Sequence, residues 1–434
     1  MAAAQAPAAV APRPPGPPPR AARNAVALVF AANGFGFAAW ASRIPAIRDE
    51  FGLGADRLGL LLTATAVGSM LALPVAGLVV QRFGPRRTVL AAGALACAGV
   101  VAIGLTAWIA VAAIGFGVFG AASGMWDVAM NVEGAAVERR LDRDVMSRFH
   151  AAWSLGSVVG AGLGALAARQ GVPLRVHLPL AAGLVAAVVL AAPRWFLPDP
   201  ARPDPARPDP ARPDPARPDR ASSGRLAALR VWREPRTLAL GLLVLGLTLA
   251  EGSANDWLAL ALVDDYGADQ ALGALGYAIF VAALLAARLA GPVLLARVGR
   301  VAALRSCTLS AVVGLGLFAA GARQDGPVAA ALAGIGAICW GAGCALAFPV
   351  GLSAAADQPD RAAARVGVVA TIGYLAFLSG PPLIGRLAAE VGVSNALIAV
   401  TVPVLLALLV TGAARAPEGT QQRGGSPGGS RLSG

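Results

Sequence analysis

Twelve apolar segments, each about 20 residues long, constrain this chain more than any other feature. A helix of that length spans a hydrocarbon core of about 30 Å. Inside hydrocarbon, every backbone N–H and C=O must find a partner within the protein, which leaves only helices and closed barrels. Barrel strands alternate apolar and polar residues, whereas these segments stay apolar throughout, so they are helices. The expected fold class is an all-α membrane protein with twelve transmembrane helices. The spans are placed at 24–46, 57–80, 88–106, 109–135, 147–168 and 177–193, then at 237–260, 272–296, 301–322, 327–350, 364–388 and 392–413. Only 14% of residues are charged, against about 25% in a soluble domain.

The charge pattern orients the chain. Its net charge of +12 comes from 36 basic residues, all of them arginine. With the N-terminus inside, 28 arginines fall in inside segments, seven in outside segments, and Arg288 lies within a span. This asymmetry places both termini in the cytoplasm of a bacterial inner membrane and accounts for the basic charge without nucleic acid. Ala39-Trp40-Ala41 imitates a signal-peptide cleavage site, but eleven further spans identify the first apolar run as an uncleaved helix. The four cysteines lie within spans and form no CxxC pair. The two histidines are too few for a histidine metal site, and no cofactor is expected.

Composition divides the chain further. Residues 1–23 read as a disordered cytoplasmic N-terminus, 24–193 and 237–413 as two six-helix halves, and 414–434 as a disordered tail. Between the halves, residues 194–236 form a cytoplasmic linker whose Ala-Arg-Pro-Asp-Pro repeats cannot be helical and read as a semi-rigid spacer. The halves echo one another at an offset of about 215 residues. Arg82-Phe-Gly84 recurs as Arg297-Val-Gly299, Trp126 as Trp340, and Asp142-Arg143 as Asp360-Arg361. A duplicated six-helix unit accounts for this, giving two pseudo-symmetric halves.

The segment Gly77-Leu-Val-Val-Gln81-Arg82-Phe-Gly84-Pro-Arg86-Arg87 resembles the loop 2–3 signature of the major facilitator superfamily. In that family an acid at the position of Gln81 is thought to latch the two halves. A neutral glutamine can hydrogen-bond there but cannot form an ion pair. Asp127-Val-Ala-Met-Asn131 resembles an element of the fucose:proton symporter group. Trp40-Ala-Ser-Arg43-Ile-Pro45, Phe149-His150-Ala-Ala-Trp153-Ser-Leu-Gly156 and Glu251-Gly-Ser-Ala-Asn255-Asp256-Trp257 resemble a related bacterial branch of largely unassigned substrate.

Charged groups within spans cost several kcal/mol and require an explanation. Gly120, Gly124, Asp127 and Asn131 form one stripe on span 4. Its glycines admit a ligand or a close helix. Its acid either couples protons or substrate, as the resemblance implies, or pairs structurally with another helix. Asn33, Gly36, Trp40 and Arg43 form a stripe on span 1. There Trp40 can stack on a ligand or sit in an interfacial belt, and Arg43 can hold an anion or snorkel to water. Span 7 contributes Thr248, Glu251, Asn255 and Asp256, with Arg288 of span 8 as the candidate ion-pair partner of Glu251. Trp126 and Trp340 either face a shared cavity or pack within their own halves. His150 is a candidate relay or an interfacial cap. Gly156, Gly160 and Gly164 form a stripe suited to close helix packing.

No P-loop is present, so transport energy must come from a gradient. The expected function is secondary transport of a small organic solute by alternating access, with proton-coupled uptake of a sugar-like or polar metabolite first. Proton-driven efflux and a non-transporting receptor are the alternatives. The expected partners are the solute, protons and the lipid bilayer, and the protein is expected to be a monomer and not an enzyme. If the linker is cytoplasmic, cysteine introduced at Ser222 will resist impermeant thiol reagents in intact cells and react after permeabilisation. Rapid labelling in intact cells would reverse the orientation.

Overall fold

A computed structural model of the chain describes residues 17–143, 145–198, 230–358 and 361–415. The Ala-Arg-Pro-Asp-Pro repeats, Ser222, Asp360, residues 1–16 and the tail after Arg415 lie outside the described residues. Among the described residues the only regular elements are helices. The first six spans are α1 (Pro19–Ala41), α2 (Ala55–Phe83), α3 (Pro85–Leu105), α4 (Ile109–Leu141), α5 (Met146–Arg169) and α6 (Leu174–Ala191). The second six are α7 (Pro235–Asp264), α8 (270–298), α9 (300–321), α10 (Gly326–Cys344, continued by Ala347–Ala355), α11 (Ala362–Val391) and α12 (Val393–Ile398 with Thr401–Val410).

Eleven continuous helical runs are long and apolar enough to cross a membrane. The twelfth span emerges because Gln270–Gly321, with 52 residues, is not one helix. Straight, it would extend about 78 Å, well over twice a hydrocarbon core. Gly299 breaks it with φ 77° and ψ 168°, and Gly84 breaks α2 from α3 with φ 81° and ψ 158°. Only glycine adopts these angles without a Cβ penalty. The repeat seen in the sequence is thus a repeat in backbone geometry. Near the other matched segment, Asp142 at the end of α4 and Arg361 at the start of α11 both take left-handed angles, one position apart in the repeat.

The expected first span extended to residue 46, but α1 starts at Pro19 and stops at Ala41. Pro45 cannot donate within a continuing helix and is instead accommodated in the first turn of a separate short helix, Ile44–Phe51.

Close helix contacts hold each half together. The glycine stripe of α5 lies on α1: a Cβ at Gly156 would sit 2.0 Å from Ala31 O, and one at Gly160 would sit 2.6 Å from Phe35 O. Gly120 of α4 lies equally close to Thr65 O of α2, at 1.9 Å. Lipid tails are as apolar as leucine, so van der Waals packing replaces hydrophobic burial as the force between helices, and small residues permit it.

The halves meet along α2 with α11 and along α5 with α8. At the end opposite the termini of the described chain, Gly59 of α2 abuts Pro381 O, and Gly385 of α11 abuts Ala55 O. A polar clasp covers this junction. Arg48 pairs with both oxygens of Asp264, its Nη2 also reaches Asp49 at 2.7 Å, and Gln270 Nε2 donates to Asp49 at 2.9 Å. At the other end, Arg300 and Arg236 converge on Asp357 at 2.7 and 3.0 Å, tying the 8–9 turn to the end of α10. Glu234, just before α7, receives Arg365 at 2.6 Å and Arg361 at 3.2 Å. The Arg365 hydrogen bond is the largest influence holding the Glu234 carboxyl below its ordinary range.

The α1–α5 contact sets a clear contrast between two substitutions on one helix. Gly156→Ala drives a methyl group into the α1 backbone and is expected to cost about 1–3 kcal/mol. At Gly162, where nothing lies within 4 Å of the added Cβ, alanine is expected to be neutral or slightly stabilising. Thermal unfolding of the purified variants in one detergent measures the difference. Equal melting temperatures would show that the contact contributes little.

Candidate functional site

Glu251 lies near the middle of α7 and Arg288 is well inside α8, where a lone charge would be costly. Each compensates the other: Arg288 Nη2 donates to Glu251 Oε1 at 3.1 Å and Oε2 at 3.3 Å. The same guanidinium reaches the other half, where Nη1 donates to Ser154 Oγ of α5 at 3.2 Å. Ser154 in turn donates to the His150 carbonyl one helical turn back. Arg288 therefore links α7, α8 and α5, and is the intramembrane charge that joins the two halves. Tyr277 of α8 donates to Asn255 Oδ1 at 3.2 Å, placing a second polar contact one turn further along α7.

Three of the acids within the spans, Glu251, Asp127 and Asp256, occupy different environments. Glu251 is ion-paired. Asp127 is served by its own helix, where Asn131 Nδ2 donates to Asp127 Oδ1 at 3.2 Å and to the Asp127 carbonyl at 2.8 Å. The expected stripe is present, but Gly120 and Gly124 are filled by the close approach of α2. Across the interface, Tyr374 of α11 lies within electrostatic range of Asp127. Asp256 is half-buried and makes no hydrogen bond or ion pair among the described residues.

The aromatic and span 1 candidates lie deeper within their own halves. Trp40 is 1% exposed and packs edge-on against Phe37, Phe116 and Phe119, with centroids 5.1–5.8 Å away. Arg43 lies beyond the end of α1, 4% exposed, and donates to Val172 O at 3.0 Å; its Nε and Nη1 are buried without protein partners. Asn33 accepts from Trp153 Nε1 at 2.9 Å. Asn33 Nδ2 and Trp126 Nε1 lack protein partners, and both residues line one small void between α1, α3, α4 and α6. Trp340 is fully buried, donates to Ala250 O at 3.1 Å, and packs on Phe280 and Phe318. Trp126 and Trp340 therefore occupy equivalent interior places in separate halves and do not face one another.

His150 is exposed, sits edge-on to Phe30 with centroids 5.3 Å apart, and lies within electrostatic range of Arg288. In the 2–3 turn, Gln81, Arg82 and Arg86 are exposed, and a Cβ at Gly77 would meet nothing within 4 Å. Gln81 makes no hydrogen bond among the described residues, whereas the matching 8–9 turn is held through Arg300. Sequence reasoning missed Ser154, Tyr277 and the Arg48–Asp264 clasp. Ser154 and Tyr277 are neutral and cost far less to bury than a charge, so nothing marked them. The clasp joins residues 216 positions apart.

Removing one partner of the Glu251–Arg288 pair strands a charge in the membrane. Glu251→Ala is expected to lower stability by about 1–3 kcal/mol, below the fully buried range because both groups are partly exposed. Glu251→Ala combined with Arg288→Ala is expected to recover part of that loss. Chemical or thermal unfolding of both variants measures it, and strictly additive losses would rule out the coupling.

Comparison with known proteins places these features in a family. The profile of the Major Facilitator Superfamily matches residues 26–381. An uncharacterized MFS-type transporter of Yersinia pestis is 32% identical over 390 residues, covering 90% of this chain and 94% of the relative. An uncharacterized transporter of Sinorhizobium fredii is also 32% identical, covering 88% and 97%. The membrane protein MosC of Rhizobium meliloti is 28% identical, covering 86% of each. Among solved structures, the nucleoside transporter NupG superposes with a TM-score of 0.71 over 90% of this chain and 98% of its own, at 12% identity, a likeness of fold alone.

Proposed function

The chain belongs to the Major Facilitator Superfamily, and from that premise we propose that it carries out proton-coupled uptake of a small, polar, sugar-like metabolite by alternating access. Both termini are cytoplasmic in this reading, and the monomer is the working unit. The observation that carries it is the Arg288 link, an intramembrane cation shared between Glu251 of one half and Ser154 of the other. Rocking of the halves must break the Ser154 contact, so the energy of that step depends on how firmly Glu251 holds the guanidinium. Solute hydroxyls can replace the serine and so free the guanidinium from the opposite half.

Asp127 supplies the proton site in this scheme. It carries no cationic partner that protonation would strand, and the Asn131 amide supports its ionised form. With the polar groups of α7 opposite, the site can exchange hydrogen bonds with hydroxyl-bearing solutes. The clasped end closes the outer side, so the proposed conformation is open toward the cytoplasm.

The test separates binding from coupling. Asp127→Asn keeps the size of the side chain and mimics the protonated acid. The variant should bind solute and exchange it between equal pools in liposomes, yet lose accumulation driven by a pH gradient. A thermal-shift screen of sugars, organic acids and drugs supplies the solute. Retained gradient-driven accumulation would remove Asp127 from the coupling role. Absence of solute-stimulated proton flux in the wild-type protein would remove proton coupling altogether.

A further inference from the structure

A groove of about 490 Å³ lies on the outer side of the first half, between the start of α1 and the end of α6. Its floor is apolar, formed by Ala25, Leu28, Val188 and Ala191. Leu28 and Leu190 alongside it are 54% and 69% exposed, which identifies a surface turned toward acyl chains. Its rim is different in character. Arg194 is exposed, and its Nε donates to Ala191 O at 2.6 Å, which fixes the base of the side chain. The two terminal nitrogens of Arg194 make no hydrogen bond among the described residues. Asn24 lies on the opposite rim, and its Oδ1 accepts from Arg23 Nε and Nη2 at 3.1 and 2.9 Å. Trp195, 49% exposed, stands beside Arg194, and no acidic residue lines the groove.

We propose that this groove is a binding site for one anionic phospholipid, with its phosphate at the terminal nitrogens of Arg194 and the upper part of one acyl chain on the α1–α6 floor. The combination requires an amphiphile. A free anion has no use for the apolar floor, and an uncharged lipid leaves the terminal nitrogens of Arg194 without an anion. Arginine forms directed, paired hydrogen bonds to phosphate, and a tryptophan indole is suited to the headgroup boundary. The groove lies at the end of the bundle that carries Arg82, Arg86 and Arg87, so the surrounding field also favours an anionic lipid. The lipid would brace α1 against α6 away from the interface where the halves move, so the site goes beyond the transport reading and does not depend on it.

Native mass spectrometry of the full chain from mixed micelles tests the site, comparing phosphatidylglycerol with phosphatidylcholine of identical acyl chains. The wild type is expected to retain one phosphatidylglycerol with about fivefold preference, the contribution of one arginine near a charged headgroup. Arg194→Gln should abolish the preference, and Arg194→Lys should keep part of it. Arg140→Gln, which removes an exposed arginine at the same end of the bundle but outside the groove, should leave it unchanged. The proposal fails if the two lipids are retained equally, if Arg194→Gln has no effect, or if Arg140→Gln reduces retention as much as Arg194→Gln does. Displacement of the lipid by millimolar inorganic phosphate would also overturn it, by showing that the rim binds phosphate without the acyl chain.

Discussion

Water is absent from the hydrocarbon core, and each helix must satisfy its own backbone before it can meet a neighbour. The attraction between helices then depends on how closely their backbones approach. In this protein the approach is set by glycine: Gly156 against Ala31, Gly120 against Thr65 and Gly59 against Pro381 all leave no room for a methyl group. The first two contacts build the interior of one half, and the third joins the halves. Close glycine contacts thus serve both the interior of a half and the junction between the halves.

Against this apolar background, polar groups act in proportion to how poorly they are compensated. Arg288 is neutralised by Glu251 yet retains a donor for Ser154, so the one cation that stabilises α7 and α8 also reports the position of the opposite half. The clasp of Arg48, Asp49, Asp264 and Gln270 does comparable work at one end, where water can reach it and the cost of parting it is lower. Asp127 and Asp256 are tied to neither arrangement.

The pseudo-repeat is only partly symmetric. Gly84 and Gly299 make the same turn, and Trp126 and Trp340 take the same interior place. The latching contacts differ, however. Neither turn carries an acid at the position of Gln81, and the second is anchored through Arg300 to Asp357. The first half has Glu133 instead, buried at 3% exposure, accepting the Leu197 backbone N–H and fixing the chain just after α6. Duplication has preserved backbone geometry, where glycine leaves no alternative, and has let the ionic contacts diverge.

The sequence by itself determined the class, the number of spans, the turn at Gly84 and its copy at Gly299, and the α5 stripe, because hydropathy and helical period are local properties. It also brought Glu251 and Arg288 together, since two intramembrane charges of opposite sign need each other. Trp40, Trp126 and Trp340 could not be placed from periodicity, because one helix face meets core, lipid and partner half at different depths. Ser154, Tyr277 and the Arg48–Asp264 pair were decided only by the tertiary structure. Their energies arise between helices far apart in the chain, and a neutral hydroxyl costs far less to bury than a charge, so nothing marked it in advance.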